Sequence, residues 1–329
     1  YDPCCGSGGM FVQSMKFIEA HQGNKLNISV YGQEYTNTTY KLAKMNLAIR
    51  GISCNLGEQA ADTFHRDQHP DLKADFILAN PPFNQKAWRG AKELVDDPRW
   101  MGFPSPPTSN ANYGWILNIL SKLSHSGTAA FLLANGALSG DGTEQEIRKG
   151  LIEQGVVEAI ILLPRNMFYS TDISVTLWIL ARDRSARTAQ QNGRTIRYRE
   201  RREETLFIDL RQVGEPFEKK YIQFSDEQIA SIAATYHAWQ RADYDQPYAD
   251  IPEYCYSATR AEIAAKDYSL VPSKYIPFAS GDEAVDFASE MKTIQSELSL
   301  LMAEEAESTA ALRTLFAELG FPLNTPAND

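Results

Sequence analysis

The sequence predicts an α/β protein with a doubly wound sheet, and two observations lead to this class. Over the first 180 residues, short apolar runs alternate with amphipathic stretches, as strands and helices alternate in such folds. Several apolar runs are followed at once by glycines, carboxylates or an amide, and ligands bind at the carboxyl ends of strands in these sheets. With 329 residues, the chain can form one large domain or two small ones.

Each predicted strand is a short apolar run, and the predicted helices lie between them with apolar residues at helical spacing. We predict strands at residues 28–31, 76–79, 128–133, 156–162, 174–180 and 204–210. We predict helices at residues 10–21, 36–50, 111–123 and 143–154. A loop-and-helix pattern begins at Asp2 with only Tyr1 before it, so we expect a first strand that is cut short and a chain that is part of a longer protein.

The remaining segments are assigned by composition. Residues 85–110 are rich in Pro, Gly and Trp without clear periodicity, which predicts a long functional loop. We place a catalytic domain at residues 1–210, a connecting region at 211–281 and a helical interaction segment at 282–320.

The helical interaction segment carries an apolar seam with a spacing of about 3.5 residues, typical of a coiled coil or bundle. Its members are Phe287, Met291, Ile294, Leu298, Leu301, Leu312, Leu315 and Leu319. Glu305 and Ser308 interrupt the seam, so we expect either one long helix or two.

Composition narrows the functional classes. A net charge of −10 argues against a protein that coats nucleic acid unaided. We find neither a signal peptide nor an apolar run long enough for a membrane span, and four cysteines without CxxC spacing favour buried thiols in a reducing cytoplasm. Residues 182–202 contain eight arginines, which fit either a solvated hairpin with a turn at Gly193 or a patch that contacts phosphates.

The stretch "DPCCGSGG" places Asp2 at a strand end and a glycine turn before a helix. Glycines let the backbone approach a ligand closely, and the first turn of a helix offers unpaired N–H groups. The stretch lacks the lysine of a P-loop, so it indicates a nucleoside-type cofactor, with an ordinary tight turn as the alternative.

Two carboxylates follow at later strand ends. Glu34, in "GQE", stands where a carboxylate accepts hydrogen bonds from ribose hydroxyls in doubly wound folds, although a surface glutamate fits the position equally well. Asp62, in "ADTF", follows the next strand position and could meet the exocyclic amine of an adenine.

The stretch "ANPPFN" closes another predicted strand with an amide, two prolines and an aromatic ring. Prolines cannot extend a central strand, and alone the group is a weak turn signal. The stretch follows the glycine turn, Glu34 and Asp62, and all four lie at the ends of predicted strands. Chance alone rarely produces such an ordered arrangement.

In this order, "DPCCGSGGM", "GQE", "ADTF" and "NPPF" resemble the adenine-N6 DNA methyltransferases, and more narrowly the modification subunits of type I restriction–modification systems. Support continues downstream in "SGTAAFLLANGALSG" and "VVEAIILLPRNMFYSTDISVTLWIL". Two departures stand out: the family's helical N-terminal domain is absent, and Ala134 stands where these proteins often have proline.

The resemblance implies a Rossmann-like sheet that binds S-adenosylmethionine. Its cofactor residues would be Asp2 and the turn Gly6, Ser7 and Gly8 on the methionine side, Glu34 at the ribose, Asp62 at the adenine, and Asn80. The catalytic group would be Asn80, Pro81, Pro82 and Phe83. The substrate would be an adenine rotated out of duplex DNA, with Phe168 or Tyr169 as candidates for a second stacking aromatic unless they are core residues.

The resemblance also implies partners: a specificity subunit that reads the DNA target, and a restriction subunit in the full complex. Two other interpretations stay open. The same loop type serves methylation of RNA amines or protein glutamines, and the chain could be a non-catalytic subunit that binds cofactor and assembles others. We predict no metal site, because His65 and His69 have helical spacing but no accompanying carboxylate motif.

Overall fold

The computed structural model describes residues 1–21, 23–24, 27–169, 172–191, 194–218, 220–279 and 287–321. The chain forms two compact units, Tyr1–Pro277 and Phe278–Asp329. Within the described residues, no helix is both long and apolar enough to cross a membrane. All four cysteines are free thiols.

The predicted strands and helices are all present, with small shifts at their ends. The helices are α1 (Gly9–Ala20), α2 (Asn37–Ile49), α3 (Asn112–Lys122), α4 (Thr143–Glu153), α5 (Asp226–Gln240), α6 (Arg260–Ala265) and α7 (Phe287–Glu318). The strands are β1 (Val30–Tyr31), β2 (Cys54–Asn55), β3 (Ala74–Ala79), β4 (Leu123–Ala134), β5 (Val157–Leu162), β6 (Val175–Ala181), β7 (Arg187–Gln191), β8 (Arg194–Tyr198), β9 (Glu204–Asp209), β10 (Glu215–Phe217), β11 (Tyr221–Gln223) and β12 (Cys255–Thr259).

A six-stranded mixed sheet forms the centre of the first unit, in the order β12-β9-β5-β6-β4-β3. Strands β3 and β4 are parallel, as are β5 and β9, whereas β6 runs antiparallel to both of its neighbours. Strands β1 and β2 pair separately and in parallel. The predicted α/β class with a helical C-terminal segment is therefore correct.

Tyr1 and Asp2 lie between the β1–β2 pair and strand β3 of the central sheet, and they form hydrogen bonds or bridges to both. The terminal amino group of Tyr1 donates to the Phe76 carbonyl at 2.8 Å, and Leu78 N–H donates to the Tyr1 carbonyl at 3.1 Å. On the other side, Asp2 forms a parallel bridge with Gly32. The residue at the start of the glycine turn thus lies between β1 and β3, and the carboxyl ends of all these strands share one edge.

Both faces of the sheet are covered. Adjacent residues of β6 point to opposite sides, so Trp178 belongs to one buried cluster and Ile179 to another. The Trp178 cluster includes residues of α3 and α4, and the Ile179 cluster includes Trp239 of α5. Because α5 and β12 follow residue 210, the predicted connecting region contributes to the same compact unit as the predicted catalytic domain.

The arginine-rich stretch forms the hairpin of β7 and β8, and its turn at Gly193 lies outside the described residues. Arg184 and Arg201 have side chains about 1% exposed, and both pair with the equally buried Glu158 of β5, at 3.4 and 3.5 Å. A buried arginine engaged with a carboxylate cannot reach a phosphate. Arg184 and Arg201 therefore attach the hairpin to the sheet. These two arginines are neither solvated nor available to phosphates, so they fit neither of the two roles considered for the stretch.

Candidate active site

The glycine turn has the conformation that its glycines allow. Gly6 and Gly8 have φ values of 55° and 77°, in the left-handed region that disfavours side chains. A Cβ at Gly8 would lie 3.3 Å from the Leu47 side chain, whereas one at Gly6 would have no atom within 4 Å. Gly8 thus permits close packing of α1 against α2, and Gly6 with the exposed Ser7 leaves open space beside the backbone of the turn.

Asp2 is buried beneath this turn. Its Oδ1 accepts the Cys4 N–H at 3.0 Å, so the buried carboxylate stabilises the backbone conformation at the start of the turn. Burial raises the pKa of Asp2 to about 6, although the hydrogen bonds from Cys4 favour its ionised form. Its direct contact with a cofactor stays a prediction.

Glu34 reaches the same turn from the end of β1. Its Oε2 accepts the Gly6 N–H at 3.1 Å, and its Oε1 accepts the Thr36 N–H at 2.8 Å. A carboxylate has about four lone-pair positions, so this partly exposed group can accept further hydrogen bonds. The structure therefore brings "GQE" and the glycine turn together, as the sequence analysis expected.

The "ADTF" turn is attached to both preceding motifs. Ala61 N–H donates to the Glu34 carbonyl at 2.9 Å, and the Thr63 hydroxyl donates to the Pro3 carbonyl at 2.5 Å. Asp62 Oδ1 accepts the N–H groups of Phe64 and His65 at 2.7 and 3.2 Å, which fixes a local turn and leaves the side chain partly exposed.

Gln33 is a site residue that the sequence analysis missed. It is fully buried, and its Nε2 donates to the carbonyls of Ala61 and Arg66 at 3.3 and 2.8 Å. Gln33 therefore fastens the turn bearing Asp62 to the strand bearing Glu34. The sequence signal that could have identified Gln33 is its position directly before Glu34, at the end of a predicted strand.

Asn80 and Phe83 follow β3 at the same edge of the sheet. Asn80 is exposed, and its side chain has no hydrogen-bond partner among the described residues, while Pro81 is buried. Phe83 is half-buried and packs on the Ile179 cluster, as do Leu132 and Leu177, which are directly opposite each other on β4 and β6. An amide free to bind thus stands beside a partly open apolar surface.

The two candidates for a second aromatic differ in their surroundings. Phe168 is half-buried and packs on the same Ile179 cluster as Phe83. Tyr169 is 71% exposed, and its ring meets Tyr221 edge-on with centroids 4.6 Å apart. That one of these rings stacks on a base stays a prediction.

The segment at residues 85–110 packs against the "ADTF" turn. Trp88 and Trp100 are each 2% exposed, and their ring centroids lie 4.5 and 6.5 Å from that of Phe64. Arg99 donates to the carbonyls of Thr63 and Phe64 at 2.8 and 2.5 Å. Because truncating a buried tryptophan costs about 3–5 kcal/mol, these anchors make the segment a packed wall of the site.

The histidines are separated by the fold. His69 is buried and its Nε2 contacts the Gly32 carbonyl at 2.9 Å, whereas the exposed His65 lies 3.5 Å from Asp62 and 3.4 Å from Glu93. Among the described residues, no group of three metal-ligating side chains is close enough to hold a metal ion.

A glycine turn, two carboxylates and an Asn-Pro-Pro-Phe loop thus lie at one edge of the sheet, the arrangement that the sequence analysis expects of a methyltransferase. The sequence model of the N-6 DNA methylase family matches residues 1–284, and the chain belongs to this family of adenine-specific DNA methyltransferases. Within it, the chain groups with the methylase subunits of type I restriction enzymes.

The HindI methylase subunit of Haemophilus influenzae is 42% identical over 98% of this chain and 68% of its own length. The MjaIX methylase subunit of Methanocaldococcus jannaschii is 32% identical over 98% of this chain and 55% of its own. The type I restriction–modification methyltransferase subunit of Streptococcus thermophilus superposes with a TM-score of 0.70 at 28% identity, over 84% of this chain and 53% of that one. The chain thus spans about half to two thirds of these relatives.

Proposed function

We propose that the protein transfers a methyl group from S-adenosylmethionine to the exocyclic N6 of adenine in DNA, as the catalytic part of a type I modification subunit. The observation that carries this proposal is the convergence of Gly6, Glu34 and Asp62 on one ligand-facing edge, with Asn80 at the end of the neighbouring strand.

The residues present suit S-adenosylmethionine. Open backbone at Gly6 leaves room for the amino-acid portion, and the Glu34 carboxylate retains acceptor positions for two ribose hydroxyls. The Asp62 turn lies next to Glu34 and would face the adenine. When bound, the cofactor supplies an electrophilic methyl group on a sulfonium.

The Asn80 loop prepares the target nitrogen. The lone pair of an adenine amine is delocalised into its ring, so this nitrogen is a weak nucleophile. The Asn80 Oδ1 and the Pro81 carbonyl would accept its two N–H groups, which favours a pyramidal nitrogen with a directed lone pair. The adjacent prolines stiffen the loop, so little reorganisation accompanies the reaction.

Phe83 and its neighbours would hold the rotated base. A half-buried phenyl ring offers one face for stacking, worth about 1–3 kcal/mol per base. Leu132 and Leu177 extend the apolar surface beneath it. Such a surface takes a base only after the base leaves the duplex.

The partners of the protein follow from charge and from α7. With a net charge of −10, this chain has weak electrostatic affinity for DNA, so a DNA-reading specificity subunit would supply that affinity. The seam of α7 would dock on this subunit, and a restriction subunit would join in the full complex. Four free thiols suit a reducing cytoplasm.

The test is a methyl-transfer assay in which the full-length subunit, with its specificity subunit and labelled cofactor, receives DNA, RNA and protein separately. We expect label on adenine in DNA only. Label on RNA or on protein glutamine would replace the proposed substrate, and label on none would indicate an assembly subunit.

Asn80→Ala tests the role of the loop in this assay. We expect at least a 100-fold loss of transfer with cofactor affinity within about threefold, because Asn80 would contribute mainly to holding the target amine and little to holding the cofactor. Asn80→Asp, which keeps an oxygen acceptor of the same shape, should retain more activity than Asn80→Ala. Near-normal transfer by Asn80→Ala would show that the acceptor mechanism is wrong.

A further inference from the structure

The residue that follows Phe83 has an unusual backbone conformation with a specific partner. Asn84 has a φ of 50°, in the left-handed region that side chains other than those of Asn and Asp rarely adopt. Its N–H donates to Asn112 Oδ1 at 3.1 Å, and Asn112 Nδ2 donates back to Asn84 Oδ1 at 2.9 Å. This reciprocal pair fixes the end of the Asn-Pro-Pro-Phe loop.

Asn112 is well placed to hold that loop. It is 2% exposed and begins α3, a helix buried over most of its surface. Its own N–H donates to Asn110 Oδ1 at 3.0 Å, and Ala111 N–H donates to the Gln85 carbonyl at 2.9 Å. The loop end is therefore bonded on both sides to a rigid element.

We infer that Asn112 is a positioning residue for methyl transfer, acting through Asn84 to set the place of Phe83 and Asn80. The inference rests on the proposed function. Phe83 is only half-buried and the Asn80 side chain has no partner among the described residues, so the Asn84–Asn112 pair supplies the side-chain hydrogen bonds at this end of the loop. A displacement of 1 Å in a reacting geometry costs about 100-fold in rate, so a small shift of the loop is enough to be measured in methyl transfer.

A purely structural role for Asn112 predicts different behaviour. It would lower the stability of the protein and the fraction of active molecules, with the rate of each active molecule unchanged. The next residue offers a matched control, because the Tyr113 hydroxyl donates to the Ala137 carbonyl at 2.7 Å and makes no hydrogen bond to Asn84. Tyr113→Phe removes this hydrogen bond and the one that the hydroxyl accepts from Arg148 at 3.0 Å, both in the same helical turn, without releasing the loop.

The experiment measures single-turnover methyl transfer by the full-length subunit with its specificity subunit, together with calorimetric affinity and stoichiometry for S-adenosylmethionine. We expect Asn112→Ala to lower the rate about 10- to 100-fold, with cofactor affinity within about threefold and full stoichiometry. Asn112→Asp should stay within about fivefold, because Asn84 can turn its amide and donate to the new carboxylate. Tyr113→Phe should keep the wild-type rate.

Asn84→Gly gives an independent reading if Asn112→Ala does not fold. Glycine accepts the left-handed backbone, so this variant loses only the side-chain half of the pair, and we expect a loss of about three- to tenfold. The inference is wrong if Asn112→Ala, or Asn84→Gly in its place, transfers at the wild-type rate. It is also wrong if Tyr113→Phe loses as much, or if cofactor binding falls in parallel. A wild-type assembly that methylates no adenine overturns the proposed function instead.

Discussion

At the scale of single residues, the polar side chains after β1 hold the backbone of the neighbouring loops. Glu34 accepts N–H groups from Gly6 and Thr36, and Gln33 donates to the Ala61 carbonyl. Such side chains can organise the site before a ligand arrives. Substituting Glu34 with alanine would therefore remove a loop contact together with the proposed ligand contact.

Glu34 shows how the two contributions can be separated. We expect Glu34→Ala to weaken the affinity for S-adenosylmethionine about 10- to 100-fold, since hydrogen bonds to a charged group contribute about 1.5–3 kcal/mol. Glu34→Gln keeps one oxygen acceptor for the Gly6 N–H and should lose less. Calorimetric titration of the full-length subunit measures both. Unchanged affinity in Glu34→Ala would reduce Glu34 to a surface residue.

Asp2 gives a prediction about stability and pH. Its folded-state pKa of about 6 lies above the ordinary value of 3.8 for an aspartate, so ionised Asp2 disfavours folding above pH 6, and this cost disappears as the pH falls below about 4. We expect Asp2→Asn to raise the free energy of unfolding by up to about 3 kcal/mol at pH 8 and by nearly nothing at pH 4. Urea unfolding at both pH values measures this, with the exposed Asp71→Asn as control. An equal gain at both pH values would contradict a buried charge.

At the scale of elements, residues 85–110 connect the two halves of the site. Arg99 forms a two-point ion pair with Asp97 at 2.7 and 2.6 Å while it donates to the Thr63 and Phe64 carbonyls. Burial alone would raise the pKa of Asp97, but the hydrogen bonds from Arg99 outweigh burial and lower it. The segment that follows the Asn-Pro-Pro-Phe loop thus also holds the turn that bears Asp62.

Arg99→Ala should therefore weaken cofactor binding from a distance. We expect about a tenfold loss of affinity for S-adenosylmethionine and a loss of about 3 kcal/mol in stability, because Asp97 is left unpaired. Arg89→Ala is the matched control, since Arg89 donates only to carbonyls of its own segment, those of Gly90, Glu93 and Pro106. Calorimetry and thermal unfolding provide the two readouts. Equal cofactor affinity in the two variants would contradict the link.

The ends of the strands could be predicted from the sequence, because a change from apolar to polar residues is a local signal. Glu34, Asp62 and Asn80 therefore appeared in order, and the structure brings their loops together. Pairing between strands is not a local property of the sequence. The residues of β6 do not indicate that this strand runs antiparallel to its neighbours, and those of β12 do not indicate that it pairs with β9. Asn112 and Arg99 were missed for the same reason, because their partners are distant in sequence.

At the scale of the whole molecule, α7 is one continuous helix from Phe287 to Glu318, although Glu305 and Ser308 lie in its seam. Residues 282–286 of the predicted interaction segment lie outside the described residues. Seam residues Met291, Leu298 and Leu312 are 46%, 55% and 52% exposed. Seam positions alternate by three and four residues, so their apolar side chains share one face, as in a coiled coil.

We predict that this face docks on a helix of the specificity subunit, as the family resemblance implies. Packing against the remainder of this chain is the alternative. The many glutamates of α7 repel phosphates, which makes DNA a poor binding partner for this helix, and a partner helix can bury the leucines.

Deleting residues 282–329 from the full-length protein should abolish co-purification with the specificity subunit. Leu298→Glu should weaken complex formation about 30-fold or more, because burying a leucine contributes about 1.5–3 kcal/mol. Leu300→Glu is the matched control: Leu300 is 64% exposed on the same helix but lies off the seam, so the added charge is equal and the complex should survive. If all three forms bind the specificity subunit as wild type does, with methyl transfer intact, α7 serves this chain alone and the docking site lies elsewhere.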